Sequence, residues 1–162
     1  MSVSAIVREA GVSRSVFYTH FADLSELALR MIEPVFTELA AQAAAARDDD
    51  PVRAMRDAHD GLTAHIDAER SLYRAALTLP GNTLREQMRE AMLVPLLDHV
   101  ETVGTPAGLR AELAARYVAG AATTVLADWA TGAVDASADE IALHLSALMP
   151  AWMHERRDES ST

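Results

Sequence analysis

The chain has 162 residues, which suits one domain or a small module joined to a larger one. Half of the residues are apolar and cysteine is absent, which excludes disulfide scaffolds, cysteine-ligated metals and thiol catalysis. The formal net charge of −10 argues against nucleic acid binding over the whole surface, because phosphates require cations. Since no signal-like start and no long apolar run stands out, the sequence predicts a cytoplasmic protein without a membrane partner.

Two short helices with a break between them are predicted at the N-terminal end. One of the first two serines can cap the first helix, which runs to about Ala10, and Gly11 ends it by allowing a positive φ. Ser13 can cap a second helix that continues through His20. This segment carries two arginines against one glutamate, so contact with a polyanion is expected only here.

Longer helices follow, marked by apolar residues at intervals of three and four. The predicted ranges are 24–47, 51–68, 70–79, 83–103, 109–131 and 137–156, with a frayed tail at 158–162. Pro34 is expected to kink or split its helix, and Pro95 is expected to bend another. Asp48–Asp50 before Pro51 indicates a solvated helix start, with a cation site as the alternative. With no strand signal and no internal repeat, the sequence predicts an all-α fold of about eight helices.

The stretch from Ile6 to Phe21 has the pattern of a helix-turn-helix motif, which needs a tight turn, an apolar residue after it and a second helix with one free face. Gly11, Val12 and Phe17 meet these needs. The free face would carry Arg14, Ser15, Tyr18, Thr19 and His20. Arginine and hydroxyl side chains can contact base edges, while Tyr18 and His20 are suited to phosphates.

The string A-G-V-S-x-x-x-F-Y-x-H-F from Ala10 to Phe21, followed by Asp23 and Glu26-Leu27, resembles the TetR family of bacterial repressors. The resemblance implies a homodimer that binds a palindromic operator on double-stranded DNA and releases it when a small molecule enters the helical core. Leucine, methionine and histidine side chains on the inward helix faces indicate an apolar or weakly polar effector. It adds Ser2 and Ser13 to the DNA-facing positions. It also implies a DNA-binding region at 1–46, with the motif at 2–21 and a linking helix, and a helical-bundle ligand-binding and dimerisation domain at 47–162.

Three departures from the family pattern affect the expected DNA contacts. The family has another helix before the motif, and the sequence as numbered begins inside that region; a shortened chain, a late start codon and omission from the numbering all stay open. Leu24 stands where the family usually has lysine after Asp23, which removes one phosphate contact. Val7 and Val16 replace smaller residues, a change expected to alter packing more than chemistry.

The resemblance to a ligand-binding domain gives two further sets of candidate residues. Candidates for the ligand cavity are Met55, His59, Tyr73, Met88, Met92, His99 and Tyr117. Candidates for the dimer interface, on the last two long helices, are Ala122, Leu126, Trp129, Leu145 and Trp152. The alternatives are ordinary core: histidines with satisfied hydrogen bonds, packed thioethers, and tryptophans that close the base of one subunit.

Enzyme signatures are absent, since the sequence has no G-x-S-x-G, no H-E-x-x-H and no glycine-rich phosphate loop. His59 and His65 are six residues apart, which puts them on different helix faces and argues against a metal pair. We therefore predict no catalytic residue, metal or cofactor, and a ligand-responsive transcriptional regulator, most simply a repressor. The alternatives are a helical ligand- or partner-binding dimer that has lost operator recognition, and a helical enzyme.

Overall fold

A computed structural model of the chain describes residues 2–46, 51–81 and 83–153, and these ranges contain helices joined by turns and loops, with no strand among them. The helices are α1 (Val3–Glu9), α2 (Arg14–His20), α3 (Leu24–Ala46), α4 (Pro51–Ala68), α5 (Arg70–Leu77), α6 (Leu84–Val103), α7 (Ala111–Thr131) and α8 (Ala138–Leu148), followed by a 3-10 turn at Ala151–Met153. The predicted all-α fold is confirmed for the described residues. None of these helices is long and apolar enough to cross a membrane.

The long helix α3 organises the fold, because it packs against α4, α5 and α6. Its buried stripe repeats every four residues at Leu24, Ala28, Ile32 and Phe36, the spacing that keeps side chains on one helical face. Helix α7 packs on α5 and α6, and α8 packs mainly on α4. Helices α4, α5 and α6 therefore pack directly on α3, α7 and α8 pack on these three, and α1 and α2 precede α3 in the chain.

The predicted split of α3 at Pro34 is wrong, since the helix runs through this residue without a break. Pro34 lies on the exposed face, whereas Ile32 and Phe36 on either side of it are buried. A proline removes one backbone hydrogen bond, and the packing of the neighbouring side chains offsets that loss. Helix α6 also continues through Pro95, and the kink expected at Pro34 and the bend expected at Pro95 stay predictions.

The last helix starts where the sequence indicated but ends earlier. Ser137 caps it, and Glu140 completes the capping box by accepting from the Ser137 backbone N–H at 2.8 Å. The helix stops at Leu148, not near residue 156, because Met149 precedes a proline and adopts an extended conformation with φ −66° and ψ 136°. The expected frayed tail and Asp48–Asp50 lie outside the described residues.

Two apolar clusters form the core. The larger one joins Val7 of α1 and Phe17 of α2 to buried residues of α3 through α8, among them Tyr73 and Trp129. The smaller one gathers side chains of α6, α7 and the C-terminal 3-10 turn around Val100. Because α1 and α2 share the larger cluster with the bundle, they are anchored to it by apolar packing. The division of the chain at 46/47 stays a prediction.

Candidate DNA-binding surface and ligand cavity

The α1–α2 unit is built by short-range contacts that the sequence encodes directly. The Ser2 hydroxyl oxygen accepts from the Ala5 N–H at 3.3 Å at the start of α1. Gly11 takes φ +67°, a conformation in which a Cβ would be strained, and the chain reverses there. The Ser13 hydroxyl then accepts from the Val16 N–H at 3.2 Å and starts α2. Both serine caps and the glycine turn are therefore confirmed.

Helix α2 is attached to the protein by one side chain. Phe17 is 5% exposed and lies 5.3 Å, centroid to centroid, from the Phe21 ring, while the other residues of α2 are exposed. The predicted DNA-facing residues are all at the surface: Ser2, Ser13, Arg14, Ser15, Tyr18, Thr19 and His20. The Thr19 hydroxyl already donates to the Ser15 carbonyl oxygen at 2.9 Å, so it has only its lone pairs left for another partner.

Arg14 and Tyr18 also share a shallow groove with residues outside α2. The groove has a volume of about 310 Å³ and is lined by Ser2, Val3, Ser4, Arg14, Tyr18, Asp23, Leu24 and Leu79. It brings the first residues of α1 next to the polar face of α2. Leu24, where the family usually has lysine, is 4% exposed and packs in the larger core cluster. The Leu24 side chain therefore helps to pack α3 into the core and is not available to contact a phosphate.

The loop between α2 and α3 is tied to the first turn of α3. Asp23 Oδ1 accepts from the backbone N–H of Ser25 at 2.7 Å and of Glu26 at 3.0 Å. Glu26 accepts from the Ala22 N–H at 2.7 Å and from Arg30 at 2.6 Å, and these hydrogen bonds, the backbone one first, lower the pKa of its carboxyl group. The two residues that follow the cap of α2 are therefore fixed to the start of α3.

A large cavity lies between α3, α4, α6, α7 and α8. Its volume is about 670 Å³, within the range of roughly 300–1,000 Å³ that is typical of small-molecule sites. Aliphatic side chains dominate the lining, which includes Phe36, Leu39, Leu62, Leu96, Val118, Val125, Leu145 and Met149. Three strongly exposed apolar side chains stand among the lining residues: Val94 at 74%, Tyr117 at 76% and Leu148 at 75%. They mark the mouth of the cavity.

Five of the seven residues predicted to line a ligand cavity are found in it: Met55, His59, Met92, His99 and Tyr117. Tyr73 and Met88 belong to the packed core instead and are almost fully buried. The Tyr73 hydroxyl lies 2.8 Å from His65 Nε2, and burial, followed by the charge of Glu69, raises the pKa of the phenol. These two residues are therefore corrected from cavity to core.

The sequence reasoning missed two walls of the cavity. One is contributed by α3 through Phe36, Thr37 and Leu39, and the other by the end of α8 through Leu148. The apolar periodicity of α3 predicts which of its residues face inward, but it does not predict a cavity next to them. Only the packing of α3 against α4 and α6 creates that void.

The predicted dimer residues are mostly inside the subunit. Leu126 and Trp129 are fully buried, and the Trp129 Nε1–H donates to the Ala136 carbonyl oxygen at 2.8 Å with the Arg70 guanidinium 4.2 Å from the ring centroid. Leu145 and Ala122 line the cavity, and the half-buried Trp152 packs on the smaller core cluster. The alternative that Trp129 closes the core of its own subunit is thus correct, since no part of its side chain reaches the surface.

Comparison with protein-family models and with curated proteins finds no match to this chain. Its function therefore has to be inferred from the geometry of the α1–α2 unit and of the cavity.

Proposed function

We propose that the chain is a ligand-responsive transcriptional regulator of the TetR type, acting as a repressor that binds operator DNA as a homodimer. The observation that carries this proposal is the presentation of α2, a short polar helix with only Phe17 buried and with Arg14, Tyr18 and His20 exposed. A helix that enters a major groove needs this combination of one apolar attachment and a free polar face.

The contacts divide by chemistry. The Arg14 guanidinium can form paired hydrogen bonds with a guanine edge, and the hydroxyl groups of Ser13 and Ser15 suit either a base or a phosphate. Tyr18 and His20 can donate to phosphates, which fixes the orientation of the helix. Two copies related by a two-fold axis would set their α2 helices about one helical turn, roughly 34 Å, apart.

The cavity supplies a means of regulation, because α3 belongs to both regions. Its first turn is hydrogen-bonded to Ala22 and Asp23 of the loop that follows α2, and its later residues line the cavity, among them Phe36, Thr37 and Leu39. A small molecule that fits the cavity in only one position of α3 would stabilise that position. If the favoured position separates the two α2 helices by the wrong distance, the affinity for DNA falls by the ratio of the ligand's affinities for the two states.

The homodimer rests on exposed apolar side chains of α7 and α8. Leu113 is exposed on α7 and Leu143 is exposed on α8, and neither residue lines the cavity. A second copy that covered them would remove apolar surface from water, which is the main driving force of association. These residues replace the buried Leu126 and Trp129 as the proposed interface.

Fluorescence anisotropy with labelled duplex from the region upstream of the chain's own gene tests the proposal. The wild-type chain should bind a segment of this DNA with an affinity that falls as salt rises. Tyr18→Ala should weaken binding to every duplex, whereas Arg14→Ala should weaken binding to the preferred duplex most. Arg53→Ala is the matched control, because it removes the same charge from an exposed position on α4.

The second candidate function, a ligand- or partner-binding dimer without operator recognition, is favoured by the net charge of −10. The two candidates differ in the same assay. A chain that dimerises and binds small molecules but shows no salt-dependent affinity for any upstream segment would support the second function. Equal effects of Arg14→Ala and Arg53→Ala would refute the assignment of α2 as the DNA-contacting helix.

A further inference from the structure

Polar side chains in the cavity are few and differ in depth. Thr37, Asp98 and Tyr117 are exposed, so among the described lining residues these three belong to the mouth. His99 lies deeper, and its Nε2–H donates to the Met153 carbonyl oxygen at 2.8 Å. His59 is the remaining polar residue of the described lining and is the more informative of the two histidines.

His59 offers one free hydrogen-bonding atom inside an apolar wall. Its Nδ1 lies 2.8 Å from the Ser146 hydroxyl oxygen, a contact that joins α4 to α8. Its Nε2 has no hydrogen-bond partner within the part of the chain that the structure describes. Burial lowers the pKa of His59 to about 4, so the ring is neutral at physiological pH. A neutral ring whose hydroxyl partner can donate or accept is able to present Nε2 as an acceptor or as a donor.

The lining also disfavours anions. Arginine is the only basic residue type besides histidine in this sequence, and no arginine is found among the described residues of the cavity wall. A carboxylate or phosphate placed inside would lose its hydration without gaining a cation, which is strongly unfavourable. The charged group at the mouth, Asp98, would repel an anion further.

We infer that the cavity binds an uncharged, mostly apolar molecule whose single hydroxyl or carbonyl group hydrogen-bonds to His59 Nε2. The aliphatic walls, the unoccupied nitrogen and the lack of a cation in the described lining all lead to this class of ligand. The inference deepens the proposed function, on which it rests for the role of the cavity as the effector site. It names the chemical class that would act as the effector.

A competition assay with a neutral apolar dye, N-phenyl-1-naphthylamine, tests the inference on the full chain. The dye should fluoresce on binding in the cavity, and 1-decanol, decanoate and decylammonium then compete for it. At neutral pH the alcohol should compete at least ~10-fold more strongly than either ion. Decanoate would be desolvated without a cation to pair with, and decylammonium would meet a carboxylate only at the mouth, where Asp98 is exposed, and none beside His59. An ion within tenfold of the alcohol, or a dye that shows no displaceable binding, would overturn the inference.

Variants locate the polar anchor. His59→Leu should weaken competition by decanol about 5-fold, the loss of roughly one hydrogen bond, and His59→Gln should retain most of the affinity because glutamine still donates and accepts. His144→Leu, the same substitution at an exposed histidine of α8 outside the cavity lining, is the control and should leave competition unchanged. If His59→Leu has no larger effect than His144→Leu, the anchor is wrongly assigned, and the wild-type comparison of alcohol with ions stands even if one variant fails to fold.

The assay contains no DNA, so its result does not depend on operator binding. A protein that fails to bind DNA yet prefers decanol leaves the ligand class intact. Conversely, a protein that binds DNA but prefers decanoate keeps the proposed function and loses only the ligand class.

Discussion

His59 should make the fold sensitive to mild acid. Its ring is desolvated between α4 and α8, which lowers its pKa from 6.5 to about 4. The fold therefore favours the neutral ring, and protons bind more tightly to the unfolded chain. Because the folded pKa lies below the unfolded one, the free energy of unfolding falls as the pH drops below 6.5, and the loss levels off below about 4.

The size of the loss follows from the two pKa values. At about pH 4.5 the ring is protonated in nearly every unfolded chain but in only about a quarter of folded ones, which corresponds to a loss of about 2.5 kcal/mol relative to neutral pH. This is a large share of the roughly 5–15 kcal/mol that stabilises a typical domain. His65 contributes in the same direction, since burial lowers its pKa as well.

Urea unfolding of wild type and His59→Gln at about pH 7.5 and pH 4.5 isolates the contribution of His59. The carboxyl groups and His65 titrate alike in both proteins, so the variant should lose about 2.5 kcal/mol less than wild type on acidification. His144→Gln is the matched control, because it removes an exposed histidine of α8. A variant that loses as much stability as wild type would show that the fold does not lower the pKa of His59 and would refute the account of a largely buried, neutral ring.

Three further outcomes follow from local geometry. Gly132→Ala should destabilise the fold by about 1 kcal/mol in thermal unfolding, because φ is +85° there, whereas Gly120→Ala, in open space on α7, should stabilise it by about as much. Ser137→Ala removes the hydroxyl that accepts from the Glu140 N–H, while the backbone bond to the Glu140 carboxylate remains, and should cost about 1 kcal/mol in the same measurement. Leu143→Glu should shift the chain toward monomer in sedimentation, and Val134→Glu, on the loop after α7, should not; equal effects would place the interface elsewhere.

The helix boundaries could be predicted from the sequence because their signals are local. Ser13 and Ser137 cap their helices with their own hydroxyl groups, and Gly11 ends α1 through its own φ angle. The same locality explains the error at the end of α8. Pro150 disfavours a helical conformation at Met149, the residue before it, and this steric effect ends the helix. The prediction followed the apolar periodicity past this point and so made the helix too long.

The net charge of the whole chain differs from the charge on the exposed face of α2. A net charge of −10 describes an average, whereas the exposed residues of α2 include Arg14 and His20 without a carboxylate. The surface proposed to contact DNA is small. Because salt screens charges that lie farther away than about 8–10 Å, the acidic residues of the bundle repel the DNA phosphates only weakly. Exposure of α2 could be expected from the single aromatic attachment at Phe17, a pattern visible in the sequence.

The cavity could be predicted only in part, because periodicity separates inward from outward residues and does not tell packed space from empty space. Met88 and Met92 are one helical turn apart on the same face of α6, yet Met88 is sealed in the core and Met92 lines the cavity. Their environments differ because the neighbouring helices pack closely around Met88 and leave a cavity next to Met92, which depends on the arrangement of the whole bundle. The same holds for Trp129, whose burial depends on Arg70 and on the loop that follows α7. A sequence therefore indicates which side chains can reach a site of this kind, and the packing of the helices decides which of them do.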